Sequence, residues 1–288
     1  MMKSFQRKIV LSFLVAALLV ALVAARPISR SIAFLCTFQS LRPNGSGCME
    51  YRHRRTGLIF VRLPEGTFRM GLSPEQEKQL QDLDPFWSSR SLDYMKPEHV
   101  VRVRPFLVSK YEVSQGTWER IMHRNPSIIN KRGDLPVNEI YMKDCEDFCR
   151  QTGLDLPTEA QWEYACRAGT QTLFFFGERL VRGQATLRAD NPYNGCDPVN
   201  ANFPNGFGLH NMHGNVAEWC KDYYCEDFYK HREAVYPDPI CTIPTKEHTI
   251  RGGCSTYDAD MCTSAFRCGY DESNHTMTVG IRPVYNLP

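Results

Sequence analysis

The stretch "RGGCSTYDADMCTSAFRCGY", residues 251–270, places three thiols close together: Cys254, Cys262 and Cys268. Neighbouring thiols support three chemistries. A pair of thiolates holds a soft ion such as Cu(I). A pair also exchanges with the thiol of a substrate, or closes into a structural disulfide. Compartment helps to choose between these. The chain opens with the basic "MMKSFQRK", continues as an uncharged apolar run over residues 9–25 and then reads "RPISR". That order is the pattern of an export signal. The run is long for a cleaved signal and short for a bilayer span, so residues 1–26 read as a signal peptide or a membrane anchor. The bulk of the chain is then expected outside the cytoplasm, periplasmic or otherwise extracytoplasmic, or tethered to the membrane by residues 9–25. All 12 cysteines come after this segment. An even number in an oxidising compartment reads as a disulfide framework, with a connectivity that one sequence does not give. No Cys-x-x-Cys pair is present, so the thiols lack zinc-site spacing.

The elements that would position these thiols are short. Residues 27–56 mix Pro, Ser and basic side chains and read as a linker or lead-in; a single domain is expected over 57–288. "IFVRL" (59–63) alternates as a strand and "PEGTF" supplies a turn. The polar residues 73–98 read as a surface excursion. "HVVRVRPFLVSK" alternates again, with Val101 and Val103 on one face. "SQGTWERIM" predicts a helix N-capped by Ser114, over before Pro126. "MKDCEDFCRQTG" predicts a second helix, with Cys145, Phe148 and Cys149 on its apolar face and Gly153 as the stop. In "LPTEAQWEYACRAGT", Thr158 and Gln161 form a capping box, and Trp162 and Cys166 share a face. The remainder is rich in Gly, Pro and Asn, which predicts short strands and long, pinned loops.

Composition excludes some partners. With 42% hydrophobic and 23% charged residues the chain is an ordinary globular one. A net charge of +2 and no long run of one sign give no nucleic-acid signature.

Six segments in order, "LPEGTFRMG", "KYEVSQGTW", "LPTEAQWEYACRAGT", "PNGFGLHNMHGNVAEW", "RGG" and "GIRPV", resemble the formylglycine-generating enzyme, or sulfatase-modifying factor, family. The resemblance covers about residues 57–288. It implies an irregular, loop-rich α+β domain related to C-type lectins, low in regular secondary structure. It also implies an activity: oxidation of a sulfatase cysteine to formylglycine with molecular oxygen, at two cysteines five positions apart that bind copper(I). Here the match is incomplete. Cys254 stands where the family has the serine of "GGS". Counted from "RGG", Cys262 falls on the second catalytic position and Tyr257 on the first. Counted back from Gly280-Ile281-Arg282, the pair has no counterpart. Cys254 and Cys262 are the remaining catalytic candidates, at a site that looks incomplete. Cys262 also resembles a structural cysteine of the family, with Cys166 as the partner that the resemblance implies.

The same resemblance implies a structural calcium ion in "GNVAEW", held by Asn215, Val216 and Glu218, hard oxygen donors in a tight loop. His210 and His213 in "LHNMHGN" read as loop residues rather than ligands. Three functions are open: an exported domain of this family without the copper oxidase chemistry; an active oxidase acting on a sulfatase; or a lectin-like binding protein. The last would display residues 255–275, with their Tyr, Asp, Ser and Asn, to a protein or small ligand.

Overall fold

The computed structural model describes residues 33–83, 92–128, 130–180, 183–188 and 195–287. Eleven strands run in chain order: β1 (Phe38–Pro43), β2 (Met49–His53), β3 (Ile59–Leu63), β4 (Gly66–Met70), β5 (His99–Val103), β6 (Phe106–Ser109), β7 (Ala217–Tyr223), β8 (Glu247–Arg251), β9 (Arg267–Asp271), β10 (Val279–Gly280) and β11 (Val284–Asn286). The helices are α1 (Pro74–Leu83), α2 (Gln115–Met122), α3 (Met142–Thr152) and α4 (Glu159–Arg167). One sheet has the order β1-β2-β3-β6-β11, a second β10-β7-β8-β9, and β4-β5 form a ribbon. All pairs are antiparallel except β7 with β10. The expected loop-rich α+β fold is what forms.

Local signals set several of these elements. Ser114 accepts from the Thr117 N–H at the start of α2. Gly153 ends α3 in the left-handed region, φ 74°. Thr158 and Gln161 close a reciprocal capping box on α4. Val101 and Val103 point inward together, both fully buried.

Three expectations change. Residues 38–53, placed in the lead-in, instead add β1 and β2 to the large sheet. Phe38 drives this: it is fully buried and packs its ring on Phe60, Tyr51 and Tyr285 at centroid separations of 4.9–6.5 Å, a favourable aromatic geometry. The polar excursion contains α1, whose Leu80 is buried together with Leu92 and Met95. The disulfide framework is not formed: all twelve cysteines are free thiols, and Cys145, Cys149, Cys166, Cys220, Cys241, Cys254 and Cys262 are buried. Most of these behave as small apolar side chains in the core.

The segment read as signal or anchor, residues 1–26, lies outside the described residues. Among the described residues no helix is long and apolar enough to cross a membrane.

α4 is the central support of the site. Every residue from Glu159 to Arg167 is buried, charged ones included. The charges are paired. Glu163 accepts from the Gly71 N–H at 2.9 Å and Arg167 Nε at 2.8 Å, and contacts the Arg251 guanidinium. Glu159 accepts from Arg267 Nε and Nη2 at 2.6 and 2.9 Å. Buried charges persist only when paired and hydrogen-bonded in this way. Arg251 and Arg267 flank Cys254 and Cys262 in sequence, so these pairs tie the chain on both sides of those two thiols to α4.

Candidate functional site

β8 ends at Arg251 and the chain reverses through Gly252 and Gly253, at φ 93° and 67°. Both positions need glycine. A Cβ on Gly252 would press on Trp162 at 3.0 Å, and one on Gly253 would overlap the Cys262 sulfur and the Met261 carbonyl. After the turn, the Ser255 N–H bonds to the Asn215 carbonyl at 2.9 Å. A 3-10 turn over Ala259–Cys262 then returns the chain beneath Gly253.

Cys254 and Cys262 therefore come near each other, but not as a sulfur pair. Both are 0% exposed. The Cys262 thiol points at the backbone carbonyl of Cys254, 3.9 Å away. The Cys254 sulfur faces Thr256 Oγ1 at 3.2 Å. Burial pushes both thiols up, Cys262 well above the usual range with the Cys254 charge adding to it. Neither is a thiolate at neutral pH, and the thiolate is both nucleophile and copper ligand. Tyr257, at the family's first catalytic position, is half-buried, its phenol pushed to about 12 chiefly by burial.

Cys166 is not joined to Cys262. Its thiol lies 3.7 Å from the Met212 carbonyl and 3.8 Å from Ser264 Oγ. Between the two segments stands His213. Its Nδ1 bonds to the Cys262 carbonyl at 2.7 Å and its Nε2 accepts from the Phe175 N–H at 3.1 Å. This fixes the Nδ1–H tautomer. Burial pushes the ring down to about 4, so it stays neutral and works as a brace for the 3-10 turn. His210 bonds through Nδ1 to the Ala201 and Asn202 carbonyls. Both histidines are loop residues, as expected.

Of the three residues expected to hold calcium, Asn215 and Glu218 have their side-chain oxygens engaged elsewhere. Asn215, at φ 64°, accepts from the Asp197 N–H through Oδ1 at 2.9 Å and donates through Nδ2 to Glu112 at 2.9 Å. The Glu218 carboxylate is held by Arg282 Nε and Nη2 at 2.8–3.0 Å and by Trp162 Nε1 at 2.7 Å. Val216 is buried against Gly280. Calcium requires about six to eight oxygen donors. A carboxylate already neutralised by a guanidinium does not fit that need. Addition of ~1 mM CaCl2 to chelator-treated protein is expected to leave the melting temperature unchanged. A site with a Kd of ~10 µM would instead add about 2.7 kcal/mol, readily seen by differential scanning fluorimetry.

Arg282 and Glu112 are the residues that sequence reading missed here. Arg282 also donates to the Ser109, Lys110 and His210 carbonyls at 2.8–3.1 Å, so it gathers the end of β6 and the His210 loop at one buried point. Glu112 accepts from both Asn211 and Asn215, and burial pushes it to about 8. Glu112 stands in the motif "KYEVSQGTW" and Arg282 in "GIRPV", but neither spacing nor polarity marks either residue as buried.

The expected display surface also divides. Cys254, Ser255 and residues 262–267 are buried, whereas Glu272–His275 are exposed. The exposed contact surface is thus reduced to Asp258 and Glu272–His275, with partly exposed residues beside them.

Known proteins share this arrangement of motifs and fold. A family model described as the sulfatase-modifying factor enzyme 1-like domain matches residues 46–287. The chain is 27% identical over 293 residues to the formylglycine-generating enzyme of Thermomonospora curvata, covering 73% of this chain and 93% of that one. It is 38% identical over 161 residues to the formylglycine-generating enzyme of Bos taurus, covering 51% of this chain and 42% of that one. Among solved structures it is similar to PvdO from Pseudomonas aeruginosa, with a TM-score of 0.67 at 22% identity, covering 86% of this chain and 98% of that one. At that identity the likeness speaks to fold alone.

Proposed function

Because the chain belongs to the sulfatase-modifying factor enzyme 1-like domain family, we propose that it is an exported or membrane-anchored domain of that family without the paired-cysteine copper oxidase chemistry. One observation carries this reading. Of the two thiols that could form a copper site, each is sealed from solvent, and the sulfur of one meets the carbonyl, not the sulfur, of the other. Copper(I) dithiolate chemistry requires two thiolates facing one ion, with a path for oxygen and for a substrate thiol. Tyr257 at the first position supplies neither a soft donor nor an exchangeable thiol. Export rests on the charge and apolar order of residues 1–26.

The test is direct. Mature protein is incubated with Cu(I), oxygen and a sulfatase-derived peptide containing Cys-x-Pro-x-Arg, with the Thermomonospora curvata enzyme as positive control. Mass spectrometry is expected to show formylglycine in the control and none with this protein. Appreciable turnover by this protein would overturn the reading.

A further inference from the structure

Away from the cysteine turn, the loop after β7 brings three ligand-type side chains together: Cys225, Asp227 and His231. Cys225 Sγ is 3.0 Å from Asp227 Oδ1, and His231 Nε2 is 3.4 Å from the same oxygen. All three atoms lie within 4.8 Å of one another. A tetrahedral ion with metal–ligand bonds of about 2.0–2.3 Å separates its ligand atoms by roughly 3.3–3.8 Å. The observed cluster is already at that scale. The Cys225 thiol donates its proton to Asp227 Oδ1, and His231 Nε2 lies within ion-pair distance of the same oxygen. A divalent cation would replace the thiol proton and take the imidazole lone pair.

The backbone beneath the cluster is fixed. Phe228 and Tyr229 are buried, and the Tyr229 hydroxyl lies 3.0 Å from Glu159. Arg267 Nη1 donates to the Cys225 carbonyl at 3.1 Å. The Phe228 N–H bonds to that same carbonyl, and the His231 N–H to the Phe228 carbonyl. The side-chain tips lie at the surface, Asp227 at 59% and His231 at 33% exposure. A site of this kind has rigid roots and an open outer side, which is the preorganisation that metal binding needs.

We propose that Cys225, Asp227 and His231 form a binding site for a zinc-class divalent cation, with the fourth position open to water or a ligand. One thiolate, one imidazole and one carboxylate are a borderline-soft set that suits Zn(II) and Co(II) and is poor for Ca(II) or Mg(II). This site is independent of the oxidase question, since none of its residues lies in the 251–270 segment.

The probe is Co(II) alone, titrated into reduced, metal-stripped full-length protein. The expected result is about one equivalent bound, with a thiolate-to-cobalt charge-transfer band and the d–d intensity of a tetrahedral centre, bleached by one equivalent of Zn(II). Cys225→Ser is expected to lose the charge-transfer band, and His231→Ala to weaken binding by at least about tenfold. Circular dichroism melts of both variants check that they remain folded; the half-exposed positions make that the expected outcome. Three results would overturn the proposal: no charge-transfer band in the parent protein, a band of the same intensity in Cys225→Ser, or a native disulfide joining Cys225 to another cysteine.

Discussion

Glu163→Gln is expected to lower the free energy of unfolding at neutral pH by about 3–5 kcal/mol, the range for removing one partner of a buried ion pair. The whole stability of a domain is about 5–15 kcal/mol, so the variant should unfold at a visibly lower urea midpoint. The carboxylate is fully buried and serves two cations, Arg167 and Arg251, besides the Gly71 N–H. Glutamine keeps the shape and removes the charge, leaving Glu159 as the acidic partner of Arg251 on α4. The effect depends on pH. Burial alone would raise the carboxyl, but Arg167 and Arg251 outweigh it and hold it below its ordinary value. A depressed carboxyl stabilises the fold above its unfolded pKa of about 4.3, and that contribution fades as pH falls through the folded value. The gap between parent and variant should therefore be full at pH 7 and narrow as the pH drops below about 4. Urea denaturation at the two pH values checks it; equal stabilities at pH 7 would remove the structural role given to this pair.

Gly253→Ala is the second substitution with a large expected cost, about 2–4 kcal/mol, or a melting temperature lower by roughly 5–15 °C. Two terms add. An L residue at φ 67° is strained. The new methyl also overlaps the fully buried Cys262 sulfur and the backbone carbonyl of Met261, neither of which is the free end of a flexible side chain. Gly153→Ala separates the two, because Gly153 has a similar φ of 74° and nothing within 4 Å of its missing Cβ. It should show the backbone term alone, about 1 kcal/mol. Equal losses in both variants would mean that the 3-10 turn does not pack under the "RGG" reversal.

The sequence was most readable where a few neighbouring residues decide the structure. Thr158 with Gln161, Ser114 and Gly153 act within four positions, and each did what its chemistry requires. The N-terminus of α1 carries the same kind of signal. Ser73 and Gln76 bond reciprocally at 3.2 and 3.1 Å with Pro74 between them, but the polarity of residues 75–79 hid it. Elsewhere the hidden features were set by distant partners. Glu159, Glu163 and Arg167 look like the solvent face of α4, and it takes partners distant in sequence, Gly71, Arg251 and Arg267, to make their burial tolerable. Cys254 and Cys262 look available from spacing alone; the Gly253 reversal and the His213 brace are what enclose them. The Cys225, Asp227 and His231 cluster matches none of the familiar cysteine spacings, because a pair of 3-10 turns rather than a helix or strand sets its geometry.

β11 completes the five-stranded sheet by pairing with β6, and Arg282 sits just before it. The two strands meet across most of the domain, Val284 lying opposite Val108. Until β11 docks, β6 presents an unpaired edge, and the segments that Arg282 gathers have no common anchor. The sheet therefore cannot close from local contacts. Such a topology favours slow folding dominated by contacts far apart in sequence, and a partly folded form carries an open edge that a helper protein or a second chain can reach.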